Sequence, residues 1–112
     1  MTIYRTLSRL MKCTKDFQKW IKKLDRSVTI RIDNRLQRLA DGNPGLHRRF
    51  DHLLELKWRT GTMGSFRAYV AEYDGVILLL GGHKDSQSQD IDLAKQLMKG
   101  IKDGKIGTEI YE

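Results

Sequence analysis

At 112 residues the chain has room for one domain, 1–112, with a modest core, since a domain of this size buries roughly two thirds of the surface its unfolded chain exposes. Hydrophobic content of 39% with a single proline argues against disorder, and no apolar run nears the roughly 20 residues that span a bilayer, so no membrane association is expected. The net charge of +7 is lopsided: residues 1–59 hold 15 Lys or Arg against 6 Asp or Glu, and residues 60–112 hold 6 against 8, so the first half should be drawn to a polyanion.

The start, Met1 to Arg5, lacks the apolar block of a secretory leader, and Cys13 has no second cysteine for an internal disulfide. Both suit a reducing cytoplasm. Leu10 to Cys13 reads as a short strand, with an extension from Ile3 as a further option, and Thr14 is placed to cap a helix behind it. Phe17, Trp20, Ile21 and Leu24 recur at helical spacing, while Lys15, Lys19, Lys22 and Lys23 fill the rest of the circumference, giving a helix over 15–24. Asp25 can cap a second helix whose apolar stripe is Val28, Ile32, Leu36 and Leu39 and which stops at Asp41-Gly42-Asn43-Pro44-Gly45.

From Leu53 the period becomes two. Leu54, Leu56 and Trp58 share one face and Glu55, Lys57 and Arg59 the other, before a turn at Thr60 to Gly64. A strand over Ser65 to Glu72 comes next, with Phe66, Ala68 and Val70 directed to a core and Arg67 and Tyr69 emerging together on the opposite side. Asp74-Gly75 reads as a hairpin turn, and the unbroken run Val76 to Leu80 suits a central strand covered on both faces. Ser86 and Gln89 have capping-box spacing ahead of a helix over 89–102, on which Ile91, Ala94, Leu97, Met98 and Ile101 line one face. The tail after Gly104 either adds an edge strand or stays mobile.

His47, His52, His83 and Cys13 lack metal-ligand spacing, and there is neither a phosphate-binding glycine loop nor a serine nucleophile elbow, so no metal and no small-molecule cofactor is expected. A cationic set remains: Lys57 and Arg59 on one strand, Arg67 with Tyr69 on its neighbour, and His83 with Lys84 past the third. In an antiparallel meander these can converge on one exposed face, although Lys57 and Arg59 also read as ordinary solvent-facing strand residues. Arginine matches a phosphate with a planar fork, lysine supplies a mobile charge, and tyrosine can stack on a base. Metal-free RNA cleavage needs an acceptor for the 2′-hydroxyl proton, cations for the charge growing on phosphate oxygens, and an acid for the departing 5′-oxygen. Lys57, Arg67, Lys84 and His83 are the residues here that can fill those roles.

Several segments resemble one family: Phe17-Gln18-Lys19-Trp20-Ile21 with Leu24, Arg31-Ile32 with Arg35-Leu36, Asp41-Gly42-Asn43, Glu55-Leu56-Lys57, Phe66-Arg67-Ala68-Tyr69, and Leu80-Gly81-Gly82-His83-Lys84 through Gln87, Asp90-Ile91 and Ala94. Taken in order over about residues 10 to 100, they look like the RelE/ParE toxin superfamily, and within it the phage-derived, HigB-like group often called addiction module killer proteins. The resemblance implies an α+β fold of order β-α-α-β-β-β-α, its antiparallel sheet packed against a helical hairpin and a C-terminal helix. It implies the toxin half of a type II toxin-antitoxin system, most often an endoribonuclease acting on mRNA in the ribosomal A site and neutralised by a cognate helix-turn-helix antitoxin.

By position Arg67 matches the arginine of the family's Tyr-Arg strand pattern, Lys57 its preceding basic strand position, and Lys84 its basic residue after the last strand. Arg59, Tyr69, Arg31, Arg35 and Lys19 would contact RNA, the helical residues on ribosomal phosphates. Two features depart from the pattern: Phe66 replaces an aromatic hydroxyl, and Tyr111 lies well past the last helix, where some relatives carry a closer tyrosine. The same fold also serves ParE-like poisons of DNA gyrase, and a non-toxic basic RNA-binding phage accessory protein is the third reading.

Overall fold

A computed structural model describes residues 9–59, 65–84 and 88–111, with Arg59, Lys84, Ser88 and Gln89 described at the backbone alone. The chain opens with β1 (Met11–Cys13) and turns into α1 (Lys15–Lys22) at Thr14. The Thr14 hydroxyl accepts from the Phe17 N–H at 3.1 Å and donates to the Leu80 carbonyl at 2.6 Å, so one side chain caps the helix and ties it to the sheet. Helix α2 (Arg26–Ala40) starts at an extended Asp25 whose carboxylate makes no capping bond. It ends on Gly42, at φ +97°, with Gly42 N–H donating to Leu39 and Asn43 N–H to Arg38, the paired bonds that a left-handed residue allows after a helix.

Four strands come next in antiparallel succession: β2 (His47–Phe50), β3 (Leu53–Arg59), β4 (Ser65–Tyr73) and β5 (Val76–Lys84). Asp74 and Gly75 both have positive φ, as a two-residue hairpin turn with the native strand twist requires. Helix α3 (Ser88–Lys102) and β6 (Glu109–Ile110) complete the chain. The sheet has six strands in the order β2-β3-β4-β5-β1-β6, with β1 parallel to β5. The sequence did not announce β2, and it left β1 unpartnered; the sheet is therefore mixed rather than wholly antiparallel. The tail took the edge-strand option, β6 pairing antiparallel with β1. The Ile3 extension, the Thr60 to Gly64 turn and the Ser86 end of the capping box lie outside the described residues.

Alternation along the strands divides the apolar residues between two cores. Leu54, Leu56, Phe66, Ala68, Val70, Ile77 and Leu79 pack under α1 and α2 against Phe17, Val28, Ile32, Leu36 and Leu39. Leu53, Tyr69, Ala71, Leu78 and Leu80 pack under α3 against Ala94, Leu97 and Met98. The helical pair thus covers one face of the sheet and α3 packs on the other.

Tyr111 fastens the tail. Its N–H donates to the Met11 carbonyl at 3.0 Å, its ring meets Phe17 edge-on at 5.4 Å, and its hydroxyl donates to the Asp33 carboxylate. Burial, and then the bond to Asp33 and that residue's charge, push the phenol above its usual 10.0. A raised phenol favours the neutral form in the folded state, so its contribution is complete below pH 10.0 and is lost as pH rises through the higher folded value. Tyr111→Phe should therefore cost about 1 kcal/mol at neutral pH and remove this part of the alkaline loss, which urea unfolding at neutral pH and just above pH 10.0 measures.

Candidate functional site

The site begins with an irregularity. From the Asp74-Gly75 turn, β4 and β5 run in step until Val70 faces Leu79; then Tyr69 faces Gly81, and Leu80 is an extra residue. A bulge of this kind resets the alternation of faces. Leu79 points to the helical pair and Leu80 to α3; beyond the bulge Gly82 turns toward α1, and His83 toward α3. Trp20 lies so close over Gly82 that a Cβ there would sit 2.2 Å from the indole, so only glycine lets α1 press on β5 at this point. On the other side His83 Nδ1 stands 3.8 Å from an Asp90 carboxylate oxygen on α3.

Register then places three basic side chains in a line. Lys57 is paired with Arg67, and Arg67 with His83. Directly opposed residues share a face, so the three form one cross-strand row, about 5 Å from strand to strand. The next row on that face is Glu55, Tyr69 and Gly81, with Arg48 of β2 opposite Glu55 at the edge. The carboxylate of Glu55 is only 1% exposed and lies 3.8 Å from the Arg67 Nε, while the Arg67 side chain keeps 15% exposure. Both Glu55 oxygens and the Arg67 Nε are buried without a hydrogen bond among the described residues.

Two expectations need correction. Tyr69 does not emerge beside Arg67: it is 2% exposed, enclosed in the core under α3, and cannot stack on a base. Arg35, expected on RNA, is instead engaged within the protein. Its guanidinium donates to the carbonyls of Pro44, Leu46 and Lys57 and lies over the Trp58 ring at 5.6 Å. Gly45, at φ +66°, makes room for it, since a Cβ there would meet the Arg35 Nε at 2.7 Å. Burial, and then the charge of Arg38, lower the Arg35 pKa. Lys19 and Arg31 are exposed on the helices that cover the opposite face, apart from the row. Lys84 is in register with Phe66, one step past Arg67, and Arg59 with Ser65; their side chains lie outside the described residues.

Arg35 thereby pins the backbone of Lys57 through a 2.8 Å bond to its carbonyl. Arg35→Ala should lower stability by about 3 kcal/mol, and Arg35→Lys should recover little of it, because an ammonium cannot serve carbonyls fanned around a planar fork. Thermal melts of the two variants measure this.

Sequence reasoning missed Glu55 as a buried group and Asp90 as the partner of His83. Glu55 fell on the face expected to meet solvent, and nothing in the pattern Leu54-Glu55-Leu56 marks which polar face a later helix will cover. Among the described residues no group of three or more His, Cys, Asp or Glu is arranged to hold a metal ion, and no helix is long and apolar enough to cross a membrane.

No family model matches the chain. An uncharacterized protein of Haemophilus influenzae is 36% identical over 95 residues, which span 81% of this chain and 94% of that protein. The two belong to one family. The crystal structure of the isolated E. coli RelE toxin is similar in fold, with a TM-score of 0.53 and 16% identity, covering 81% of this chain and 99% of that one. The fold of this family member is therefore RelE-like.

Proposed function

We propose that this protein is the toxin half of a type II toxin-antitoxin system, HigB-like in branch and phage-derived, and that it cuts mRNA on the ribosome. The observation that carries the reading is the Lys57–Arg67–His83 row on the α3 face of a RelE-like sheet. Adjacent cations on neighbouring strands repel one another, and a sugar-phosphate chain laid across them relieves that repulsion. Arg67 and Lys57 hold the non-bridging oxygens of the scissile phosphate as charge grows there. His83, turned by Asp90 at its Nδ1 edge, exchanges protons through Nε2, taking one from the 2′-hydroxyl or giving one to the departing 5′-oxygen. Lys84 takes a phosphate role here from its position in the chain alone, since its register is with Phe66 and not with the row. None of these steps calls on a cofactor. The exposed cations of α1 and α2, Lys19 and Arg31 among them, lie on the other face and suit ribosomal RNA phosphates. A small helix-turn-helix antitoxin is the expected partner, and the cytoplasm the expected place of action.

A second reading has its own support. Lys19 and Arg31 stand apart from the row, on a helical pair that a protein target such as DNA gyrase can meet directly. Purified ribosomes programmed with a defined mRNA separate the two. Truncated transcripts from the wild type, and intact ones from Lys57→Ala, are the result expected of the nuclease. Intact transcripts together with blocked supercoiling by gyrase would replace it with the second reading, and absence of both activities would leave a plain RNA-binding module.

A further inference from the structure

Glu55 has no place in the proposed chemistry, yet it is the most deeply buried charged side chain of the site. Across the strands it is paired with Tyr69 of the core beneath α3 and with Arg48 at the edge, with Arg67 Nε at 3.8 Å, beyond hydrogen-bond range but within strong Coulombic reach. A carboxylate held so is a poor way to stabilise a sheet: an apolar pair in place of Glu55 and Arg67 would bury apolar area and leave no orphaned oxygen. What the carboxylate does accomplish falls on Arg67. It draws the Nε edge of the guanidinium into the protein and thereby limits the directions in which the rest of the fork can point.

We infer that Glu55 is a positioning residue, holding Arg67 in the row with Lys57 and His83. The inference rests on the reading of that row as phosphate-facing. Its effect has two signs. The negative charge weakens the hold of Arg67 on a phosphate in the ground state, while the fixed orientation improves the match to charge that develops during cleavage.

The test uses Glu55→Gln and Glu55→Leu in the full chain. In the ribosome assay, kcat should fall about 10- to 100-fold while KM falls about threefold, a split that a merely structural lesion does not produce. Glu55→Leu should show the same kcat loss with a lower melting temperature, since it leaves the largely buried Arg67 without its partner. Glu55→Gln, which keeps volume and polarity, should lose kcat with the smaller change in melting temperature, which separates lost positioning from lost folding. An arginine side-chain NMR spectrum gives a readout independent of activity: the Arg67 Nε–Hε proton should exchange with water about tenfold faster in both variants than in wild type. Unchanged kcat in both variants, or unchanged exchange at Arg67, overturns the inference. A wild type that cuts nothing sinks the nuclease reading instead, and positioning is then decided by the Arg67 exchange alone.

Discussion

Arg67→Ala should lower stability by about 3 kcal/mol and the proposed mRNA cleavage by about 10²- to 10³-fold, and the two losses have separate causes. The first arises because the substitution strands the Glu55 carboxylate, 1% exposed, without the only opposite charge within 4.0 Å of it among the described residues. Removing one partner of a buried pair leaves a charge that neither water nor protein satisfies, which is worse than removing both. Loss of toxicity in Arg67→Ala alone is therefore ambiguous. The Glu55→Leu/Arg67→Ala double variant resolves it: stability should return to within about 1 kcal/mol of wild type, by urea melts, while cleavage stays lost. A double variant that regains cleavage along with stability would show that Arg67 serves folding and not the phosphate.

Phe17→Ala should cost about 4 kcal/mol, a large share of the roughly 5–15 kcal/mol by which domains are stable. Phe17 is fully buried at 0% exposure, and its ring meets Trp20 at 5.6 Å and Tyr111 at 5.4 Å, so it joins α1 to the tail and, through Trp20, to Gly82. The melting temperature should drop by roughly 15 °C, against roughly 5 °C for Phe17→Leu, which keeps most of the volume. The link to function is mechanical. Trp20 presses on β5 one residue before His83, so the Trp20 fluorescence and the His83 ring signals should change together in Phe17→Ala under conditions where it is still folded. Independent responses would mean that α1 does not brace the row.

Much of the fold could be read from the chain because its helices and hairpin obey local rules. The stripes Phe17-Trp20-Ile21-Leu24 and Val28-Ile32-Leu36-Leu39 each define one buried face, and Asp74-Gly75 permits the positive φ that its turn needs. What escaped notice depends on neighbours distant in sequence. His47-Arg48-Arg49-Phe50 forms an edge strand whose exposed side chains carry no alternation to betray it. The extra residue at Leu80 belongs to a pairing, not to a composition, yet it decides that His83 stands beside Arg67. Arg35 looked like any basic residue on an exposed helix face, because the carbonyls it serves come from the loop after α2 and from β3. Tyr69 and Glu55 were placed on the correct face, and only the position of α3 over that face changes their meaning.

The salt dependence of RNA binding tests the phosphate-facing row most directly. With a short single-stranded RNA blocked at its 2′-hydroxyls, the logarithm of affinity should fall linearly with the logarithm of salt concentration, and Lys57→Gln should make the slope shallower by about 0.7, the loss of one phosphate contact. A slope identical in Lys57→Gln and wild type would mean that the RNA lies elsewhere and that the row is not where the phosphate sits.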